Sequence, residues 1–173
     1  MGAAAALFGA PSGNAADRSL EYAVKATFLY KFAPFVDWPP SAFEQPGAPF
    51  VLCIVGNDPF TETVEKTVAG QHVGEHPLVL RHIAVADGKA FCHLMFVAGS
   101  PSQSVAQALD AVRGSPTLTV TDSNAPAPGI IQFVVIHDRV NFDIDAVAAG
   151  ANHLTISSKL LALAHGVMRG DRR

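Results

Sequence analysis

The sequence predicts an α/β fold in which a mostly parallel central sheet is flanked by helices, as a Rossmann-like sandwich, with a C-terminal antiparallel hairpin. Two observations predict this class. Short, continuous apolar runs alternate with segments long enough for a helix, as expected for parallel strands covered on both faces. Two later apolar runs are separated by only three residues, which is too short for a crossover. A chain of 173 residues suits a single core, and we expect residues 17–173 to form one domain.

The first sixteen residues are small and apolar, with an alanine-rich run at 3–8 and Asn14-Ala15-Ala16 before Asp17. This pattern is typical of the end of a secretory signal peptide, although the basic region that opens such peptides is missing. The alternative is a disordered, alanine-rich tail. We therefore expect residues 1–16 to be a signal-peptide remnant or a disordered tail, and the first interpretation predicts export.

The first helix is predicted over residues 20–36, with Ser19 as its N-cap and Pro34 at its end. Apolar residues occupy almost every direction around this helix, so more than one of its faces should be buried. One face serves the domain's own core, and a second subunit or a partner protein is the simplest cover for the other. The residues predicted for this homodimer or partner interface are Leu20, Tyr22, Phe28 and Leu29.

The predicted parallel strands are the apolar runs at residues 50–55, 78–84, 93–98 and 118–120. Helices are predicted between them at 60–69 and 102–112. The runs at 130–136 and 140–144 form the antiparallel hairpin, and the second of them alternates apolar with polar side chains, which indicates a half-solvated edge strand. A last helix is predicted at 157–168, with a serine as its cap.

The turn after the first strand, Gly56-Asn57-Asp58-Pro59-Phe60, lies where open α/β folds place ligands. It has one glycine and matches neither a dinucleotide-binding nor a phosphate-loop motif. We therefore expect a tight turn in which Asp58 caps the next helix, and we expect no cofactor.

Side chains that could carry chemistry are present but match no known arrangement. The histidines that could be considered for zinc are His72, His76, His82 and His93. Their spacing is not that of a helical pair, and no cysteine or carboxylate completes a familiar set. No serine lies in a nucleophile elbow. We predict no catalytic residue, no metal site and no enzymatic activity.

The charge and hydropathy of the chain exclude two classes of function. A net charge of −3 and an isoelectric point of about 6.1 give no basic field for phosphates, so nucleic acid is not a predicted partner. Charges or prolines interrupt every long apolar stretch before the roughly 20 residues that a membrane-spanning helix needs. The chain is therefore not predicted to span a membrane itself.

The two cysteines, Cys53 and Cys92, lie in the first predicted strand and at the entry to the third. These strands are commonly neighbours in a doubly wound sheet, so a disulfide between them is geometrically feasible. Two buried, reduced thiols are the alternative at this point. Export would favour the disulfide, because oxidised cysteines persist outside the cytoplasm.

Several segments together resemble the YfiR family. The first is residues 21–32 with Phe35-Val36-Asp37-Trp38-Pro39 after them. The others, in the order the family has them, are Cys53-Ile54-Val55-Gly56-Asn57-Asp58-Pro59-Phe60, Cys92-His93, Leu118-Thr119-Val120-Thr121-Asp122, Gly129-Ile130-Ile131 and Ile156-Ser157-Ser158-Lys159-Leu160-Leu161. The similarity extends over about residues 21–164, so residues 17–173 are expected to be a single YfiR-like domain.

The resemblance implies a periplasmic, dimeric regulator without enzymatic activity. Such a protein binds the periplasmic sensory part of an inner-membrane GGDEF diguanylate cyclase, represses it, and thereby controls cyclic di-GMP and biofilm formation. Cys53 and Cys92 correspond to one cysteine pair of the family, which supports their disulfide; a second pair found in some members is absent here. The alternative is a periplasmic small-molecule-binding sensor that acts on another membrane receptor, such as a histidine kinase, motivated by the aromatic residues Phe28, Tyr30, Phe35 and Trp38.

Overall fold

The computed structural model describes residues 13–170, which fold around one sheet. The helices are α1 (Gly13–Phe32), α2 (Thr61–Val68), α3 (Val105–Ala111), α4 (Ala146–Ala151) and α5 (Ser158–Leu163). The strands are β1 (Val36–Asp37), β2 (Phe50–Gly56), β3 (His72–Val73), β4 (His76–Ile83), β5 (Leu94–Gly99), β6 (Leu118–Thr121), β7 (Ile131–Ile136), β8 (Arg139–Asp145), β9 (Thr155–Ile156) and β10 (Gly166–Met168).

The main sheet has the order β10-β8-β7-β6-β5-β2-β4-β3. Strands β4, β2, β5, β6 and β7 are all parallel, and β7 and β8 form an antiparallel hairpin. Strands β1 and β9 pair separately. The predicted α/β class, the mostly parallel sheet and the antiparallel hairpin are therefore confirmed. The Rossmann-like description is not, because the connections from β4 to β5 and from β6 to β7 contain no helix.

Side chains alternate between the two faces of the sheet, so each central strand contributes to two cores. The larger core lies against α1 and α2 and includes Leu29 of α1 and Val64 of α2. The smaller core lies against α3 and includes Val105, Cys53 and Cys92. Strands β2 and β5 are buried on both faces, which explains their continuous apolar sequence.

The first helix differs from its prediction at both ends. Helix α1 begins by Gly13, so Ser19 lies within it and is not its N-cap. It ends at Phe32, and Ala33–Phe35 form a 3₁₀ turn, because proline at position 34 removes the backbone donor that would continue the helix. Residues 1–12 of the predicted signal-peptide segment lie outside the described residues.

The C-terminal region also differs from its prediction. Only Ser158–Leu163 of the predicted 157–168 helix is helical, with the Ser157 hydroxyl accepting from the Leu160 N–H. The chain then forms β10, which pairs with β8, so β8 is not the edge strand that its alternation indicated. Gly166 permits this close pairing, since a Cβ there would lie 2.8 Å from Oδ1 of Asp143. Helix α4 was not predicted; Asp145 caps it by accepting from two backbone N–H groups.

Candidate functional site

An apolar groove runs between α1 and the β7–β8 hairpin, and we call it the α1–hairpin groove. Its apolar lining consists of Leu20, Val24, Phe28, Val135 and Val140, around a cavity of about 600 Å³. Leu20 is 67% exposed and Val135 is 43% exposed. Large apolar side chains grouped at a surface are typical of an interaction site rather than of an ordinary solvated face.

Aromatic rings pack beneath the α1–hairpin groove and form its floor. The Phe28 ring contacts Phe32 on its own helix, with centroids 5.7 Å apart. It also contacts Phe133 of β7 at 6.3 Å and Phe142 of β8 at 5.6 Å. One side of Phe28 is thus fixed by the core, and its other side faces the groove.

The structure divides the four residues predicted for the interface. Leu20 and Phe28 line the α1–hairpin groove. Leu29 has no exposed surface and lies in the domain's own core, so the prediction is corrected for this residue: it is on the α1 face that meets the sheet. Tyr22 is on another side of the helix, where its ring stacks on Phe60 at 5.4 Å. The apolar character all round α1 therefore reflects one core face, one exposed groove and one aromatic contact.

A second cavity lies where β2, β5 and β6 end, and we call it the switch-point crevice. In the sheet, β2 lies between β4 on one side and β5 on the other. The chain adds β4 on one side of β2 and then crosses over to add β5 on the other side, so the topological switch point lies between β2 and β5. Open α/β sheets bind ligands at such a point, outside the carboxyl ends of the strands. The polar lining of the crevice, which measures about 350 Å³, is Tyr22, Asn57, Asp58, Asp122 and Asn124.

Two glycines shape the edge of the sheet beside this crevice. Gly56 has φ +86°, and a Cβ there would lie 2.4 Å from the carbonyl oxygen of Gly99. The N–H of Asn57 donates to that same oxygen at 2.9 Å. Only glycine can occupy position 56 without displacing the neighbouring strand. The turn predicted after the first strand is therefore tight, as expected.

Asp58 does not cap the helix that follows this turn, contrary to its prediction. Helix α2 begins at Thr61, which places Phe60 in the N-cap position without a side-chain cap. Oδ2 of Asp58 accepts from the Thr61 hydroxyl at 3.3 Å. Oδ1 is buried and has no hydrogen-bond partner among the described residues. Burial raises the pKa of Asp58 to about 6, which marks it as a candidate binding group.

Lys25 is buried between the groove and the crevice, and the sequence-based predictions did not include it. Its ammonium Nζ lies 2.5 Å from Oδ1 of Asp122 and also pairs with Glu21 one helical turn earlier. Burial lowers the pKa of Lys25, but hydrogen bonds to Asp122 and Glu21 outweigh this and raise it. The detectable signal was a lysine on the core stripe of α1, in line with Leu29 and Phe32.

His93, one of the histidines considered for a metal, is held by the backbone on both ring nitrogens. His93 is buried; Nδ1 accepts from the Val51 N–H at 3.0 Å and Nε2 lies 2.8 Å from the Ala42 carbonyl. Burial lowers the pKa of His93 to about 4, so this ring is neutral at physiological pH. Within residues 13–170, no three histidine, cysteine or acidic side chains are placed to hold a metal ion. The remaining considered histidines lie on β3 and β4: His72, His76 and His82.

The predicted cysteine pair is joined in the structure. A disulfide connects Cys53 of β2 to Cys92, two residues before β5, with 5.9 Å between the Cα atoms. Both residues are buried in the smaller core, and their strands are neighbours, as the sequence indicated.

The aromatic residues that motivated the small-molecule hypothesis do not share one pocket. Phe28 lies on the α1–hairpin groove, whereas Trp38 packs edge-on against Phe50, with centroids 5.2 Å apart, and lies 6.3 Å from His93. The structure instead places the polar crevice at the other end of β2, where Gly56 and the residues after it lie. Sequence reasoning recognised this position in general terms but not the residues of α1 and of the β6–β7 loop that complete it.

The fold carries two surface cavities, the apolar α1–hairpin groove and the polar switch-point crevice. A family model described as YfiR/HmsC-like matches residues 22–165, and the chain belongs to this family. The family is one of periplasmic regulators rather than enzymes. A comparison with curated proteins finds no match. Along the described part of the chain, no helix has both the length and the apolar character needed to cross a bilayer.

Proposed function

We propose that this protein is a non-enzymatic periplasmic regulator that binds and represses an inner-membrane diguanylate cyclase through the cyclase's periplasmic sensory domain. It thereby controls cyclic di-GMP signalling and biofilm formation. The observation that carries the proposal is the match of residues 22–165 to the YfiR/HmsC-like family. The α1–hairpin groove supports it, because a regulator that acts by contact needs an exposed apolar surface on a rigid support.

Repression in this proposal uses binding free energy alone. A bound protein shifts its partner between two states only by its difference in affinity for them. We propose that the α1–hairpin groove contacts the inactive cyclase and that loss of the protein releases activity. Leu20 is suited to this contact, since burying one leucine side chain contributes about 1.5–3 kcal/mol.

A homodimer is part of the same proposal. In this dimer the α1 side of the α1–hairpin groove meets its own copy across a two-fold axis, which is the commonest arrangement of soluble dimers. Leu20→Asp separates the two uses of the groove. If α1 forms the dimer contact, sedimentation shows a monomer; if α1 contacts only the cyclase, the dimer persists while repression is lost.

The proposal is tested by deleting the gene in its host and measuring cyclic di-GMP. We expect the level to rise and to return when the wild-type gene is supplied. His72→Ala should also restore repression, because His72 is exposed and lies outside both cavities. Phe28→Asp should not, because a charge there enters the aromatic packing beneath the groove. An unchanged level in the deletion strain, with the cyclase expressed, would contradict the proposal.

The second candidate function is a periplasmic small-molecule-binding sensor that acts on another membrane receptor, such as a histidine kinase. The switch-point crevice favours it, because a cavity of ligand size with a polar lining lies at the carboxyl ends of the parallel strands. A ligand that raises the melting temperature, together with unchanged cyclic di-GMP in the deletion strain, would support this candidate over the first.

A further inference from the structure

We propose that the side of β4 that faces away from β2 binds an extended, acidic segment of a partner protein as an added strand. We call this side, over residues 79–83, the β4 edge. It is separate from the α1–hairpin groove, because β4 lies near one edge of the main sheet and the β7–β8 hairpin lies near the other. The inference therefore does not depend on the function proposed above.

Strand β4 has a neighbouring strand along most of its length on one side only. Residues 78–83 pair with β2 in parallel. On the other side, β3 pairs with only the first two residues of β4, and the carbonyl of Gln71 then accepts from the Leu78 N–H at 2.9 Å. Within residues 13–170, no strand continues this line beyond Leu78, so the β4 edge is a sheet edge that can accept another strand.

The backbone of β4 presents hydrogen-bonding groups along this edge. The N–H of Leu78 points away from β2, because it donates to Gln71. Backbone groups of alternate residues in a strand point to the same side, so the N–H and C=O groups of Leu80 and His82 also point outwards. In the described part of the chain they have no hydrogen-bond partner on that side. Such a row of donors and acceptors pairs with an extended segment.

A second copy of this chain is a poor occupant of the β4 edge. If two copies paired Leu80 of one with His82 of the other across a two-fold axis, Arg81 would lie directly opposite its own copy. Like charges in direct opposition destabilise a strand pair. A shift that places Leu80 opposite itself would bring His82 opposite Leu78, where Gln71 already lies. Arg81 therefore opposes self-pairing and leaves the edge to a segment of different sequence.

Arg81 also defines the charge of that segment. It is exposed, and the ion pairs of the described residues do not include it. The nearby carboxylate of Glu65 lies 3.0 Å from Nε2 of His82 instead. A carboxylate opposite Arg81 on the added strand supplies the missing opposite charge. Two positions along the same face of β4, Val79 is 37% exposed and offers an apolar contact.

The charge preference is tested by titration calorimetry of the purified chain with a synthetic peptide, blocked at both ends. The peptide has threonine at alternate positions, with valine, glutamate and valine between them, and the matched peptide has lysine in place of glutamate. We expect the wild-type chain to bind the glutamate peptide at least about threefold more tightly than the lysine peptide. Arg81→Glu should reverse this preference. Arg113→Glu is the matched control and should keep it, because Arg113 is an exposed arginine after α3.

The backbone contact is tested by comparing His82→Pro with His82→Ala. Both variants lose the imidazole, but only proline removes the outward N–H. We expect His82→Pro to weaken the glutamate peptide at least about tenfold, and His82→Ala to stay within about twofold of wild type. Thermal unfolding checks that both variants keep the fold. If His82→Pro does not fold, the reversal of preference in Arg81→Glu decides the question.

Several outcomes would overturn the assignment. They are no binding of the glutamate peptide to the wild-type chain, equal affinity for the two peptides, an unchanged preference in Arg81→Glu, or equal affinities of folded His82→Pro and His82→Ala. A wild-type dimer that His82→Pro separates in sedimentation would assign the β4 edge to a second copy instead. The titration contains no cyclase, so its failure does not bear on repression.

Discussion

At the scale of single residues, Lys25 shows how one buried cation organises the surroundings of α1. Its side chain is 1% exposed, and its partners Glu21 and Asp122 are only partly covered. The ammonium also lies 5.9 Å from the centre of the Phe133 ring. Removing the cation would leave two carboxylates next to each other beside an apolar core, without the charge that neutralises them.

We therefore expect Lys25→Met to lower the free energy of unfolding by about 2–3 kcal/mol, somewhat less than for a fully buried pair because both carboxylates reach solvent. The matched control is Lys66→Met. Lys66 forms the same type of i, i+4 pair with Glu62, but both side chains are at least 75% exposed, so we expect a loss of less than about 0.5 kcal/mol. Denaturant unfolding measures both. Equal losses in the two variants would show that Lys25 is not a structural cation.

Asp58 gives a second prediction at this scale, on the pH dependence of stability. Burial raises its pKa from 3.8 to about 6 in the folded protein, so the folded state binds the proton more tightly than the unfolded one. Asp58 therefore opposes folding above pH 6, and this effect disappears as the pH falls through 6 towards 4.

Asp58→Asn should consequently stabilise the domain at pH 7, by at most about 3 kcal/mol for a shift of roughly two pKa units. The gain should shrink towards zero near pH 4. Urea unfolding of both proteins from pH 4 to pH 8 measures the difference. A variant that is less stable than wild type at pH 7 would mean that the carboxylate is needed by the fold and is not a group kept for binding.

At the scale of elements, the neighbouring strands β2 and β5 carry both the disulfide and the crevice. Their carboxyl ends approach closely at Gly56 and Gly99, where the crevice lies. Cys53, within β2, is bound to Cys92, which precedes β5, on the face covered by α3. That face has the smaller core, so a covalent link there supplements limited apolar burial.

The link spans 39 positions of sequence, and the chain-entropy model gives about 3–4 kcal/mol for a loop of this length. We expect the double variant Cys53→Ser/Cys92→Ser to lose stability of this order. The oxidised protein, denatured without reductant, should show no alkylatable thiol. Two alkylatable thiols per chain, in protein from an oxidising compartment, would contradict the disulfide.

The sequence was sufficient to predict the position of those strands whose burial pattern is simple. Strands β2 and β5 are continuous apolar runs, β6 alternates apolar residues with threonine, and all three were predicted to within two residues at each end. Helix α4 and strand β10 were missed because their residues have no strong periodicity. Asp145, the last residue of β8, caps α4, and Gly166 permits β10 because a side chain at that position would collide with Asp143. Both depend on tertiary neighbours that a local pattern cannot reveal.

At the scale of the whole molecule, the sequence located the residues of the proposed interface only in part. The apolar character of α1 predicted that a second face of the helix packs against another subunit or a partner, but the direction of each side chain depends on how the helix lies on the sheet. That orientation turns Leu29 inward, Leu20 outward and Tyr22 towards the crevice. The pairing of Lys25 with Asp122 joins positions 97 residues apart, and no spacing along the chain indicates it.

The central claim is that the α1–hairpin groove holds the membrane cyclase, and the affinity of the purified chain for the periplasmic domain of that cyclase tests it most directly. Leu20 and Leu163 form a matched pair, since they are the same residue type and are 67% and 68% exposed, on α1 and α5 respectively. Titration calorimetry should show that Leu20→Asp weakens the complex at least about tenfold, whereas Leu163→Asp leaves it within about twofold of wild type. Equal affinities for wild type and Leu20→Asp, or a loss confined to Leu163→Asp, would contradict the account.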